Sequence, residues 1–305
     1  MKVSGFTLLR NGTQFDYPFL ESLHSLLPVV DELVINVGIG DDDTLEQVNR
    51  FAKTHGLGKV RFFESDWQLH IPEKKQGGLI LSEQTNLALD ACTSDWCVYL
   101  QADEVLHEKD MPQLKTSLQR AMNDPQIEGL VFDYWHFYGS FDVIQHSRST
   151  YRREVRAIRK SAQARSVGDA QSFRKVTGEK LRVIPAHAHV YHYGWVRKPD
   201  AMKEKTYFLD QLYHGSPTQE DAQNHTPHTG TNYQYKRFWG LSPFLGTHPA
   251  VMKKRIQAQG WNWDLKSSPF IFSWRDFKRV VLDSIEKVTG HRLFEYRSYK
   301  LIKKS

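Results

Sequence analysis

Short apolar runs alternate with helix-period segments through the first half of the chain, and this alternation limits the possible folds more than any other feature. "VSGFTLL" (3–9), "ELVINV" (32–37), "KVRFFE" (59–64), "WCVYLQ" (96–101) and "GLVFDYW" (129–135) read as strands. Between them, Phe19, Leu20, Leu23, Leu26 and Leu27 share one helical face, with Pro18 suited to the first turn. Thr44 to Lys53 is a second helix, Ser82 is placed to cap a third reaching about Ala91, and Met111, Leu114, Leu118 and Met122 mark a fourth. Strands separated by helices need crossover connections, so an α/β fold with a mostly parallel sheet and flanking helices is expected. Ligands of such sheets bind beyond the carboxyl ends of the strands. That edge carries Arg10 and Asn11, the turn 38–43, Asp66, and the adjacent carboxylates Asp103 and Glu104.

Composition narrows the function classes. A hydrophobic fraction of 40% and an aromatic fraction of 12% suit a folded, cored chain. No apolar run approaches the roughly 20 residues that span a bilayer, and "MKVSGFTLLRNG" lacks the features of a signal peptide. Cys92 and Cys97 fit neither a disulfide framework nor a zinc pattern, so a reduced cytoplasmic setting is expected, with the inner face of a membrane as a variant of it. The net charge of +6 is unevenly spread: residues 145–182 hold eleven Lys/Arg against three Asp/Glu, while residues 31–46 hold acids and no base. A basic block of this kind suits an anionic partner. Nothing in it resembles a nucleic-acid-binding motif, so nucleic acid is not expected.

Beyond about residue 140 the periodicity weakens, and 140–235 is rich in Arg, His and Tyr, as expected of a segment that wraps a sheet edge and completes a site. Phe277, Val280, Val281, Ile285 and Val288 then mark an amphipathic helix from Ser273 to Val288, with Gly290 as its C-cap. The tail "EYRSYKLIKKS" is basic and partly aromatic, a composition shared by solvated tails and by segments that touch acidic membranes.

A buried strand that ends on Asp103 and Glu104 needs a reason, because unpaired charge there is costly. A divalent cation would supply one, since it prefers oxygen ligands; a helix cap, or pairing with nearby Arg and Lys, would supply another. "VGIGDDDT" (37–44) adds glycines for a tight turn and acids able to accept hydrogen bonds from ribose hydroxyls or base N–H groups, although Asp and Thr are also ordinary at a helix start. The excess of acid argues against a pyrophosphate cradle in that turn.

Together, "RNG" after the first strand, "GIGDDDT", and "SEQTNLALDACTSDWCVYLQADE" resemble a family 2-type glycosyltransferase with a GT-A (Rossmann-like) fold, over about residues 1–110. "HFYGS", "YRREVR", "DAQSFRK" and "YHYGWV" are similar to stretches in bacterial members. The resemblance implies a nucleoside-diphospho-sugar across the strand ends and a D-x-D motif holding Mn2+ or Mg2+ against the diphosphate. It implies a catalytic domain over 1–235, with a donor half at 1–110 and an acceptor half at about 129–235, and a helical C-terminal extension over 236–305. Asp103 matches the metal-binding acid, Gln101 stands where the first acid is usual, and Glu104 is a compensating ligand. Asp43 matches an acid near the nucleoside, and Asn86 lies in the helix near the sugar. His192, ahead of Gly194 and Trp195, matches a late histidine that completes the metal shell or closes on the diphosphate.

The implied reaction is inverting attack of an acceptor hydroxyl, on a glycan, a lipid-linked carrier or a small molecule. It needs a carboxylate base from the second half of the chain, for which Asp169 and Glu154 are candidates, Asp169 being preferred. Arg10 and Asn11 at the strand end, and Arg197 with Lys198 and Arg152, Arg153 and Arg156, are candidates for binding phosphate or an acidic acceptor. A nucleotidyltransferase, a non-enzymatic binder acting through the 145–182 block, and a transferase fold that binds without turnover are the competing readings.

Overall fold

The computed structural model describes residues 2–215 and 233–302. Four parallel strands form the first half of the main sheet: β1 (Val3–Leu9) lies between β2 (Glu32–Gly38) and β4 (Trp96–Tyr99), with β3 (Val60–Ser65) outside β2. Their crossovers are α1 (Phe19–Leu26), α2 (Thr44–His55) and α3 (Leu79–Asp90). Strands β1, β2 and β4 are covered on both faces, so they read as near-continuous apolar runs. Leu33, Ile35 and Val98 pack with α1 and α2, while Phe6, Val34 and Tyr99 pack on the other face with Phe173.

The second half departs from the parallel pattern. β5 (Glu104–Leu106) and α4 (Met111–Asn123) lead to β6 (Gly129–Tyr138), β7 (Ser140–Gln145) and β8 (Arg153–Arg159). β8 runs antiparallel to both β4 and β6, and β7 runs antiparallel to β6. β9 (Ala164–Val167) and β10 (Ser172–Lys175) make a separate hairpin. The 14-residue β11 (Arg182–Trp195) pairs parallel with β6 and antiparallel with β5. Helix α5 (Pro199–His214) follows it. Late segments return to the sheet: Leu241–Pro243 pairs with β7 and Lys300–Leu301 with β11.

Two local expectations change. The strand at 96–101 ends at Tyr99, because the chain turns between Gln101 and Glu104. Helix α3 starts at Leu79 rather than after Ser82: Gly78 takes the left-handed conformation that opens the helix, and the Ser82 hydroxyl donates back to the Leu79 carbonyl. Strand β11 itself is irregular: it shifts register against β6 between Pro185 and His189, with His187 at φ 52°.

Candidate active site

The turn after β4 separates the two adjacent carboxylates. The Glu104 N–H closes this turn on the Gln101 carbonyl at 3.0 Å, and the two side chains leave it into different surroundings. Glu104 is 0% exposed. Its carboxylate accepts from Arg156 Nε and Nη2 at 2.9 and 2.8 Å, from the Tyr134 hydroxyl at 2.8 Å and from the Gln101 backbone N–H at 3.0 Å. A bidentate arginine and two further donors leave it no capacity for a metal. The expected role of Glu104 as a metal ligand is therefore corrected to that of partner to a buried arginine.

Asp103 faces the other way, into a cavity of about 240 Å3. Lys205 Nζ of α5 lies 3.2 Å from Oδ2, Arg197 Nη2 lies 3.8 Å from Oδ2, and His192 Nε2 lies 3.7 Å from Oδ1. Burial would raise the Asp103 carboxyl, but Lys205, His192 and Arg197 outweigh it and hold the group well below the usual carboxylate range. Lys205 is 7% exposed, and burial together with Arg197 pushes its ammonium down to about 7 against the pull of Asp103. One carboxylate thus faces a permanent guanidinium from behind and an ammonium that is half-ionised near neutral pH at the cavity wall.

Hydrogen-bond partners assign the histidine tautomers. His136 is held neutral, its pKa lowered to about 3 by burial and by His192. Its Nε2 lies 2.7 Å from the Tyr151 carbonyl, which can only accept, so Nε2 carries the proton and Nδ1 accepts. His192 Nδ1, 2.9 Å away, is then the donor. Burial keeps His192 below the usual imidazole range, so its Nε2 presents a lone pair toward Asp103. Gly194 opens the space between them: a Cβ there would sit 2.5 Å from His192 Nε2 and 3.0 Å from Asp103 Oδ2. Two such donors fit Mg2+ or Mn2+, which take their remaining ligands from water and substrate phosphates rather than from an all-protein cage. Among the described residues, no group of three or more His, Cys, Asp or Glu is arranged to hold a metal.

Arg10, Gln101 and Asp169 line the same cavity, with Trp67, Phe208 and Tyr213. Arg10 donates to the Ile39 carbonyl at 2.8 Å, and its guanidinium stacks over Trp67 and Phe208. Asp169 accepts from the Tyr213 hydroxyl at 2.9 Å, which aims its carboxylate from a loop in which Gly168 and Ala170 are both left-handed. The buried indole N–H of Trp67 has no acceptor among the described residues although it borders the cavity.

The other expected site residues lie elsewhere. Arg197 is 0% exposed and donates to the carbonyls of Phe15 and Gly194, so it braces the site from behind. Asn86 exchanges both of its amide hydrogen bonds with the Ser166 backbone. Glu154 accepts from Gln171 and Ser298, outside the cavity. Asn11, left-handed at φ 51°, accepts the Asp41 N–H and shapes the turn, and Asp43 accepts from Gln47 on α2. Sequence reasoning missed Lys205, His136 and Trp67. Lys205 sits in "MKEKTY" like any solvent-facing helix lysine, and only its burial against Asp103 distinguishes it.

Internal pairing engages much of the basic block on which the anion-binding alternative rests. Arg148 and Arg152 pair with Asp283, Glu286 and Glu295; Arg156 with Glu104; Arg165 with Asp90; Lys175 and Arg182 with Glu128. Most cations of the 145–182 block are thus engaged in contacts within the fold, while Arg152 and Arg182 remain exposed.

No protein-family model matches the chain, and comparison with curated proteins finds no match. Solved structures give looser likenesses. S. aureus TarS in complex with UDP-GlcNAc matches at 17% identity and TM-score 0.32, covering 45% of this chain and 35% of that one. Mannosyltransferase PcManGT from Pyrobaculum calidifontis, in complex with GDP-Man and Mn2+, matches at 14% identity and TM-score 0.42, covering 63% and 56%. GalNAc-T7 with UDP, GalNAc and Mn2+ matches at 10% identity and TM-score 0.39, covering 69% and 48%. The chain thus spans about a third of the TarS chain. With every one of these TM-scores below 0.5, what the site can do rests on its own geometry.

Proposed function

We propose that this chain is a GT-A-type glycosyltransferase that moves a sugar from a nucleoside-diphospho-sugar to an acceptor hydroxyl with inversion, in a glycan or polysaccharide pathway of bacterial type. The observation that carries the reading is the open cluster of Asp103, His192 and Lys205 at the carboxyl ends of parallel strands, facing Asp169 across one cavity. Arg10 and Lys205 on its wall suit a diphosphate, and the unpaired indole N–H of Trp67 suits a polar atom of the nucleoside or sugar.

Asp103 Oδ1 and His192 Nε2 would hold Mn2+ or Mg2+. The bound ion would neutralise the diphosphate and so improve it as a leaving group. Lys205, which a diphosphate beside it would draw to its charged form, adds positive charge at the same oxygens, and Arg10 orients the donor at the strand end. The acceptor hydroxyl attacks the anomeric carbon, its proton passes to the Asp169 carboxylate, and the bond from that carbon to the diphosphate oxygen breaks. Tyr213 holds the carboxylate in place for that transfer. A second cavity of about 880 Å3, walled by Trp135, Trp239 and several arginines, shares Tyr151 with the first and suits an acceptor. The reading includes a peripheral membrane contact, where a lipid-linked acceptor would be met.

The test is calorimetric titration of uridine and guanosine diphospho-sugars, with Mn2+ and with chelator, into wild type and Asp103→Asn. Metal-strengthened binding of one nucleotide class, weakened in the variant, is expected. Absence of binding under every condition sinks the reading.

A further inference from the structure

The helix Trp274–Thr289 is turned inside out. Its acids point at the protein: Asp283 accepts from Arg148 Nε at 2.8 Å and from Trp239 Nε1 at 2.9 Å, and Glu286 accepts from Arg148 at 2.8 Å and Arg152 at 3.0 Å. Its apolar residues point away. Trp274 is 84% exposed and stacks at 5.5 Å on the exposed Phe277, and Val281 and Val288 continue the same face. Exposed Phe270, Ile271 and Phe272 precede the helix and exposed Leu293, Phe294 and Tyr296 follow it. Apolar side chains at this density in contact with water mark an interaction surface.

Charge identifies what covers it. Residues 266–305 hold ten Lys/Arg against four Asp/Glu, a surplus as large as the +6 of the whole chain. All four acids are already engaged by arginines: Asp276 by Arg279, Asp283 by Arg148, Glu286 by Arg148 and Arg152, and Glu295 by Arg152 and Arg297. Exposed Lys278 on the helix has no acidic partner within 4.0 Å among the described residues. An apolar, aromatic face within a segment of unspent cations complements an anionic lipid surface. A second copy of the chain would instead bring the same cations together. No helix among the described residues is long and apolar enough to cross a membrane, so the contact lies in the plane of the interface.

We propose that Trp274, Phe277, Val281 and Val288, with the flanking phenylalanines, dock the protein on the surface of an anionic phospholipid bilayer. This inference rests on the peripheral membrane contact included in that reading and gives it a surface, but its test needs no turnover and can fail while sugar transfer stands. Full-length protein is floated with vesicles of phosphatidylcholine alone and of phosphatidylcholine with phosphatidylglycerol, at low and high salt. Binding is expected only to the anionic vesicles, weakened by salt and reduced about tenfold or more in Trp274→Ser/Phe277→Ser. Both residues are exposed, so the variant folds, which circular dichroism checks. Equal flotation of variant and wild type overturns the proposal, as does equal binding to neutral vesicles. So does a wild type that ignores vesicles and sediments as a dimer that the double variant dissociates.

Discussion

Asp103 and Glu104 are neighbours in the chain and both are buried, yet the regions around them differ in kind. The Glu104 region is closed: Arg156 and Tyr134 use the carboxylate completely, and Arg156 is itself 0% exposed with Tyr99 and Tyr134 about its guanidinium. The Asp103 region is open: one carboxylate for Lys205 and Arg197, a lone pair on His192, and a glycine where any side chain would block the gap. A saturated buried network fixes a fold, and an unsaturated one at a cavity wall awaits a ligand. The comparison predicts that changes in the closed region cost stability and changes in the open region cost binding and turnover.

The largest effect is expected at Glu104→Ala, which strands Arg156 without an anion. The loss should be about 3–5 kcal/mol of unfolding free energy by urea denaturation. A fully stable variant would break the distinction between the two regions.

Glu32 is a second closed carboxylate and extends the comparison to acid. Burial would raise it, but hydrogen bonds from Ser4, Thr93 and Arg61 lower it from 4.5 to about 2. The group binds fewer protons folded than unfolded, so its stabilisation is complete above about pH 4.5 and is lost as pH falls toward 2. Its size is on the order of 2–3 kcal/mol. Glu32→Gln should lower stability at neutral pH and flatten the acid limb of the stability curve; an unchanged limb would remove Glu32 from the closed class.

In the open region, Asp103→Asn keeps shape and removes charge. It should lower kcat by about a hundredfold or more and lower the urea midpoint less than Glu104→Ala does, because Lys205, already down at about 7, can shed its proton when its anion is gone. A purely structural Asp103 would reverse that pattern. The smallest effect is expected at Gly194→Ala, whose methyl group enters the gap between His192 and Asp103. Donor binding in the presence of Mn2+ should weaken about tenfold, with chelated binding less affected. Equal losses with and without the metal would place the cation elsewhere.

Periodicity and strand-end position made the first half of this protein legible. Apolar runs on a doubly covered sheet need no partner information to be read, and every strand end of β1 to β4 was placed within about two residues, inside the usual uncertainty of element boundaries. The carboxylate pair was legible as a problem, buried charge, but not as a solution. Which of Asp103 and Glu104 meets Arg156 depends on a turn between β4 and β5 and on an antiparallel strand 52 residues later. Arg197 and Lys205 show the same limit: eight residues apart, both basic, one braces carbonyls behind the site and the other reaches into the cavity. In the C-terminal helix the amphipathic period was plain, but periodicity reports that two faces differ and not which one turns inward. Arg148 decided that, because its buried guanidinium needs Asp283 and Glu286 more than the helix needs to hide its apolar side. The sequence by itself determined the alternation, the sheet and the edge where chemistry gathers. Only the tertiary structure decided which charges are spent on each other and which remain for a ligand, since pairing depends on distances across elements far apart in the chain.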